Sequence, residues 1–269
     1  EVKELLDSLL LQKNDHFEII LVEDGSTLRC SEVAEGFKEA LDLKYYFKKN
    51  SGPGLSRNYG AERAEGDYFI FLDSDCILPP DYLKAVHQYL DTHPQIEAFG
   101  GPDRGHPDFT SIQKAINFSM AAFLSTGGIR GGRKQMEIFH PRGFNMGLSR
   151  RVYQITGGFS ALRFGEDIDL SIRIHQLNLP TALIPEAFVY HKRRTHFRQF
   201  FKQIYNSGIA RFHLCKRHPG TLKAVHFFPL LFTLGWALAL ILLLVGSPAG
   251  LTLYLIYASA ILVHASLAN

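Results

Sequence analysis

Acidic residues collect where apolar runs end. Tyr68-Phe69-Ile70-Phe71-Leu72 leads directly into Asp73-Ser74-Asp75, and Ile19-Ile20-Leu21-Val22 leads into Glu23-Asp24-Gly25-Ser26. Two carboxylates flanking one small residue offer oxygen ligands to a hard cation. The same residue types also build ordinary turns, so from this spacing alone a metal site and a polar turn both stand open. A third group, Glu166-Asp167-Ile168-Asp169, follows Phe164-Gly165 and opens a helical pattern. Carboxylates there are stabilised by the helix dipole and could be caps, but three in four residues exceed what a cap requires. His191 follows a short apolar run; a lone histidine is more often packed or solvated than a ligand. Cys76, beside the Asp pair, reads as packing rather than as a ligand.

These groups need elements to position them. The opening residues keep Val2, Leu5, Leu6, Leu9 and Leu10 on one helical face. A strand over 18–22, a helix from Ser31 to about Leu41 and a strand over 43–47 follow. After the turn-rich loop 50–54 come a helix from about Leu55 to Glu65 and the strand Tyr68–Leu72, buried on both faces. This βαβαβ order predicts an α/β fold with a mostly parallel central sheet. Ligands of such sheets sit at the carboxyl ends of the strands, so Glu23-Asp24 and Asp73-Ser74-Asp75 share one rim. Two acidic strand ends around one crevice suit a ligand rich in hydroxyls together with a metal-chelated phosphate.

Further along, Pro79-Pro80-Asp81 starts a helix, and a strand over 96–99 ends in Gly100-Gly101-Pro102, where backbone approaches a neighbour or ligand, or simply bends. A helix over 109–124 precedes a Gly/Arg-rich loop over 126–134, in which Arg130 and Arg133 either bind phosphate or are solvated. A strand within 139–149 carries Asn145 back into the crevice. Gly157-Gly158-Phe159 turns the chain toward Glu166, and short strands cover 182–184 and 188–190.

The net charge of +3 hides an asymmetry. Residues 1–186 carry 20 basic and 26 acidic residues, whereas residues 187–269 carry nine basic and no acidic ones. A basic amphipathic helix over 195–212 suits an anionic membrane face. Phe227 to Val245 is then 19 residues without a charge, enough for a bilayer core of about 30 Å at about 1.5 Å per residue. A break at 246–250 and a second run over 251–268 predict a membrane helical hairpin, with the basic residues placing the body on the cytoplasmic side of an inner membrane. Three cysteines without metal spacing fit a reducing compartment. The chain starts without methionine inside a helical pattern and stops inside an apolar run, so further segments are expected at both ends.

In order, Val22-Glu23-Asp24-Gly25-Ser26, Gly54-Leu55-Ser56-Arg57-Asn58-Tyr59-Gly60, Phe71-Leu72-Asp73-Ser74-Asp75, Asn145-Met146-Gly147, Gly157-Gly158-Phe159 and Gly165-Glu166-Asp167 resemble the family 2 glycosyltransferases of GT-A fold, bacterial membrane-associated type. The resemblance divides the chain into a GT-A domain over 1–195 lacking the family's first strand, an interfacial segment over 196–224 and two spans over 225–269. It implies a nucleotide-sugar donor contacted by Glu23, Asp24, Arg57 and Asp73. Asp75, with Asp73 and His191, would bind Mg²⁺ or Mn²⁺. Asp167 would be the general base, supported by Glu166, with Asn145, Gly100 and Gly101 on the acceptor side. The Gln-x-x-Arg-Trp pattern of processive synthases is absent around Gln203, which implies transfer of one sugar to a saccharide or lipid-linked acceptor in cell-surface polysaccharide or glycolipid synthesis. No nucleic-acid partner is expected. Rival readings are transfer to polyprenyl phosphate and a membrane-anchored scaffold that keeps only the fold.

Overall fold

The structure is a computed structural model and describes residues 1–12, 16–121 and 139–268. It divides into two compact units, Glu1–Ala210 and Arg211–Asn269. The stretch holding Arg130 and Arg133 lies outside the described residues.

In the first unit, helix α1 (Val2–Leu10) buries Leu5, Leu6 and Leu9 of the face its spacing predicts, whereas Leu10 is exposed. Strand β1 (Ile19–Asp24) pairs in parallel with β2 (Leu43–Lys48), from Ile19 opposite Leu43 to Asp24 opposite Lys48. Between them α2 spans only Ser31–Glu35, short of Leu41. Gly36 follows, and glycine costs about 1 kcal/mol inside a helix. Helix α3 (Pro53–Ala61) starts on a proline, whose missing N–H costs nothing at a first turn. It stops before the expected Glu65.

Strand β3 (Tyr68–Leu72) ends where its apolar run ends. Phe69 and Phe71 enter one hydrophobic cluster with Met146, Leu148 and Leu170. Ile70 and Leu72 pack against another, built around Leu6, Tyr82 and Phe99. The strand is thus covered on both faces. A two-residue strand, β4 (Cys76–Ile77), precedes helix α4 (Tyr82–Thr92). Strands β5 (Ala98–Gly100) and β6 (Asp103–Arg104), helix α5 (Ser111–Ala121), strand β7 (Asn145–Ser149) and helix α6 (Arg150–Thr156) follow. Helix α7 (Glu166–Gln176) and strands β8 (Thr181–Leu183) and β9 (Val189–His191) complete the sheets. The sequence reading contains neither β4 nor β6, because two residues are too short for a periodicity.

The sheets are mixed. The opening β1–β2 pair is parallel as expected, but β7 lies between β3 and β5 and runs antiparallel to both. The reason is the path of the chain. It leaves β5 at the rim and re-enters as β7 at the same rim, with Asn145 opposite Leu72, so β7 must run backwards. β8 joins β5 in parallel, and a separate sheet has the order β4-β9-β6. Gly147 lies under the Phe99 ring, where a Cβ would come within 2.1 Å of ring carbons.

Helix α8 (Phe197–Arg217) runs across the boundary into the second unit. That unit then contains a 3₁₀ turn over 224–227, helix α9 (Phe228–Leu244) and helix α10 (Ala249–Ala268). The two apolar helices pack closely: Tyr254 Oη donates to the Phe232 carbonyl at 2.7 Å, and Trp236 stacks on Tyr254. Most of their leucines face outward, Leu244 and Leu253 among them. Ala249–Leu267, 19 residues of mean hydropathy 1.6, is long and apolar enough to cross a membrane. α9, at 17 residues, stands at the lower limit for a span.

Candidate active site

Arg57 on α3 is the hub of the site. Its Nη2 donates to Asp73 Oδ1 and its Nη1 to Glu166 Oε1, both at 2.7 Å. One guanidinium therefore ties the end of β3 to the start of α7, with Arg57 and Glu166 separated by 109 residues of sequence. The loop before β7 crosses directly over it, and a side chain on Gly143 would come within 2.7 Å of Arg57 Nη2. Burial opposes the arginine's charge, but the Asp73 and Glu166 carboxylates outweigh it and hold the group firmly cationic. Glu166 is 6% exposed, and burial together with the neighbouring Asp167 raises its pKa despite the contact with Arg57.

The two adjacent acids at the start of α7 thus differ in environment. Glu166 is committed to Arg57. Asp167 accepts from the backbone amides of Gly143 (3.1 Å) and Ile168 (2.8 Å), which orient its carboxylate, and it feels Arg57 only as a neighbouring charge, without a hydrogen bond to it. Asp169, the third acid of the group, is wholly buried and pairs with Arg173 at 3.0 Å. Arg173 in turn donates to the Gly158 carbonyl at 2.7 Å, so Asp169 stabilises the Gly157-Gly158 turn.

A second cluster forms where β4 and β9 pair with Cys76 opposite His191. His191 Nε2 approaches Asp75 Oδ1 at 3.1 Å, off the line of a hydrogen bond, so that this buried oxygen lacks a donor. Burial raises the Asp75 pKa, but the His191 imidazole offsets this and the carboxyl stays below its ordinary value. Asp75, Cys76 and His191 offer ligand atoms within 4.8 Å of one another. The thiol is held protonated by burial and by the charges of Asp73 and Asp75, and it points to the Phe144 carbonyl at 3.5 Å. An orphaned carboxylate oxygen beside an imidazole suits Mg²⁺ or Mn²⁺, and the thiol does not add to that set.

The acidic end of β1 is a third cluster. Glu23 Oε2 accepts from Tyr45 Oη (2.7 Å) and from the Cys30 amide (3.0 Å). Asp24 pairs with Lys48 and accepts from the amides of Ser51 (2.9 Å) and Gly52 (2.8 Å). Both side chains therefore shape the loops at the rim. Between β1 and β3, which are not paired with each other, runs a cleft of about 720 Å³. Leu6, Leu21 and Ile70 line its length, and Ser56, Arg57 and Asp73 stand in its wall.

Asn145, Gly100 and Gly101 have internal partners. The buried Asn145 amide accepts from Tyr82 Oη at 2.6 Å and donates to the Ala187 carbonyl at 2.8 Å. A Cβ on Gly101 would lie 1.7 Å from that same carbonyl oxygen, and one on Gly100 would lie 2.9 Å from the Phe139 ring. Sequence reasoning missed Lys48, Asp103 and Arg193. Arg193 reads as one of nine basic residues facing a membrane, yet its side chain is 3% exposed and pairs with Asp103 at 2.6 Å. The available signal was spacing: residues 191 and 193 fall on one face of an extended segment.

The profile of Glycosyl transferase family 2 matches residues 1–156. An uncharacterized glycosyltransferase of Rickettsia felis is 36% identical over 88 residues, 33% of this chain and 15% of that protein. The poly(ribitol-phosphate) beta-N-acetylglucosaminyltransferase TarS of Staphylococcus aureus is 35% identical over 96 residues, 34% of this chain and 17% of TarS. The match thus spans about a sixth of the length of these relatives. Among solved structures, S. aureus TarS 1–349 in complex with UDP-GlcNAc superposes with a TM-score of 0.57 at 20% identity, over 84% of this chain and 65% of that one. The mannosyltransferase PcManGT of Pyrobaculum calidifontis, in complex with GDP-Man and Mn²⁺, gives 0.60 at 19% identity, over 100% of this chain and 72% of that one. These likenesses show an α/β fold of the GT-A kind, and the profile covers more than half of the sequence. This chain belongs to glycosyl transferase family 2.

Proposed function

We propose that this chain transfers one sugar from a nucleotide-sugar, first of all a UDP-sugar, to a hydroxyl of a saccharide or lipid-linked acceptor, with inversion and with a divalent cation. The observation that carries this reading is the Arg57 bridge, which joins the Asp73 end of β3 to the acidic start of α7. A donor half and an acceptor half are thereby fixed to one guanidinium. In this reading Asp75 and His191 hold Mg²⁺ or Mn²⁺, Asp73 serves the ribose, and Glu23 and Asp24 shape the nucleotide loop. The cation, when bound, neutralises charge developing on the departing diphosphate. Asp167 takes the proton of the acceptor hydroxyl, and its backbone donors keep the carboxylate oriented for that task. A direct attack opposite the leaving group inverts the anomeric carbon. The complexes of TarS with UDP-GlcNAc and of PcManGT with GDP-Man and Mn²⁺ support the donor class and the cation. The apolar α10 supports a place at a membrane, and the nine basic residues after Glu186 support the cytoplasmic face of an inner membrane.

A thermal-shift screen of UDP-, GDP- and dTDP-sugars on the full chain, with and without Mn²⁺, tests the reading. A UDP-sugar is expected to raise the Tm, and more so with Mn²⁺. If no nucleotide-sugar binds in the presence of Mn²⁺, the proposal fails.

A further inference from the structure

His191 is held from three sides. Its Nε2 faces Asp75 Oδ1 at 3.1 Å, its ring stacks on Phe144 with centroids 4.9 Å apart, and its Nδ1 faces Asp103 Oδ2 at 3.9 Å. Asp103 comes from β6, which pairs in parallel with β9 and sets Asp103 opposite Val189. Behind it stands Arg193, whose Nη2 is 2.6 Å from Asp103 Oδ2; neither side chain is more than 3% exposed. Arg193 is fixed from α5. Its Nε and Nη2 donate to Asn117 Oδ1 at 3.0 and 2.8 Å, and Gln113 Nε2 donates to its backbone carbonyl at 3.0 Å.

A buried ion pair is weak evidence for stability, because dehydrating both charges offsets most of their attraction. Its place beside an imidazole suggests another use. Imidazoles that ligate a metal usually turn their other nitrogen to a carboxylate or carbonyl, which fixes the ring and its tautomer. We propose that Asp103 is the positioning residue for His191, and that Arg193, Asn117 and Gln113 hold its carboxylate in place, so that α5 supports the cation site. At 3.9 Å the contact is electrostatic rather than a hydrogen bond. With Nε2 given to a cation, Nδ1 carries the proton and presents it to Asp103. The proposal rests on the reading of Asp75 and His191 as cation ligands.

The test is a titration of the full chain with Mn²⁺ alone, followed by loss of the free-ion electron paramagnetic resonance signal. The variants are D75A, H191A, D103N, the double variant D103N/R193Q, and D103N in the H191A background. The double variant replaces both buried charges with amides, so it keeps the test open if D103N, with Arg193 left unpaired, does not fold. D103N or D103N/R193Q is expected to weaken Mn²⁺ binding about 10-fold or more, the usual effect of losing a group that supports a ligand. Once His191 is gone, D103N is expected to add less than about twofold, because Asp103 acts through that ring; a merely structural loss would add in full. Binding that falls in D75A and H191A but stays within about twofold of wild type in D103N/R193Q overturns the proposal while leaving the cation reading intact. Binding unchanged in both D75A and H191A overturns the cation reading, and this proposal with it.

Discussion

The proposed reaction divides the labour between two neighbouring carboxylates. Glu166 is buried against Arg57, whereas Asp167 takes its hydrogen bonds from the Gly143 and Ile168 amides and meets Arg57 only as a neighbouring charge. Asp167→Asn keeps an oxygen for one of those amides, turns an NH2 group to the other, and removes the capacity to take a proton. It is expected to lower kcat by roughly 10²–10⁴-fold with the donor KM nearly unchanged, measured as sugar transfer at saturating donor. If Asp167→Asn leaves kcat within a few-fold, the acceptor needs no base, and a polyprenyl phosphate becomes the better substrate class. Arg57 calls for a different measurement. Replacing it by methionine leaves the buried Glu166 without its cation, whereas Asp73, 38% exposed, stays hydrated. Breaking a buried pair by removing one partner costs about 3–5 kcal/mol, so denaturant unfolding of Arg57→Met is expected to show a loss of that order. Arg57→Met with Glu166→Gln is expected to recover part of it. A stability unchanged in Arg57→Met would mean that water already screens the bridge.

The elements explain which residues the sequence could disclose. β3 and the acidic end of β1 are legible because an apolar run stopping at carboxylates marks both the strand and its rim. The joint made by Arg57 is not legible, since nothing in the spacing of Arg57 and Glu166 says that β7 and the loop before it will bring α7 onto α3. Asp169 shows the opposite error: it belongs to an acidic group, yet its burial and its bond to Arg173 make it part of the turn. Asn145 at the start of β7, Gly100 at the end of β5 and Gly101 just after it are closely packed. β1 yields a pH prediction. Burial raises the pKa of Glu18, Glu23 and Asp24, but lysines, amides and a tyrosine hydroxyl more than offset it, and all three end below their ordinary values of 4.5, 4.5 and 3.8. Groups with lowered folded pKa values stabilise above the unfolded value and lose that contribution as pH falls through the folded one. Glu166, raised by burial, acts in the opposite sense, its contribution fading as pH rises. Glu4 and Asp75 are lowered too, so five carboxyls stand against one, and the Tm is expected to hold down to about pH 5 and to drop steeply below about pH 4. Asp24→Asn is expected to lower the Tm at pH 7 and to flatten that acid limb; an equal drop at both pH values would separate Asp24 from it.

Across the whole molecule the charge asymmetry needs restating. Of the nine basic residues after Glu186, Arg193 is buried against Asp103 and Lys192 is paired with Glu4. The basic character left for a membrane surface lies in Arg194, in Lys223 and in α8, whose Phe201 is 73% exposed beside Arg198 and Lys202. The apolar second unit carries the stronger argument. α9 and α10 satisfy their backbones internally and turn leucines outward, with Leu253 at 68% and Ile256 at 60% exposure. Water disfavours so much exposed hydrocarbon, whereas lipid does not. An arginine at the centre of a span costs roughly 2.5–3.5 kcal/mol on insertion scales. Full-length protein is therefore expected in the membrane fraction and resistant to alkaline carbonate, while Ile256→Arg is expected to shift a large share into the extract. A conservative Ile256→Leu is expected to stay with the membrane. If wild type and Ile256→Arg are extracted alike, α10 does not span, and the anchoring falls to α8, where Phe201→Glu becomes the variant that releases the chain.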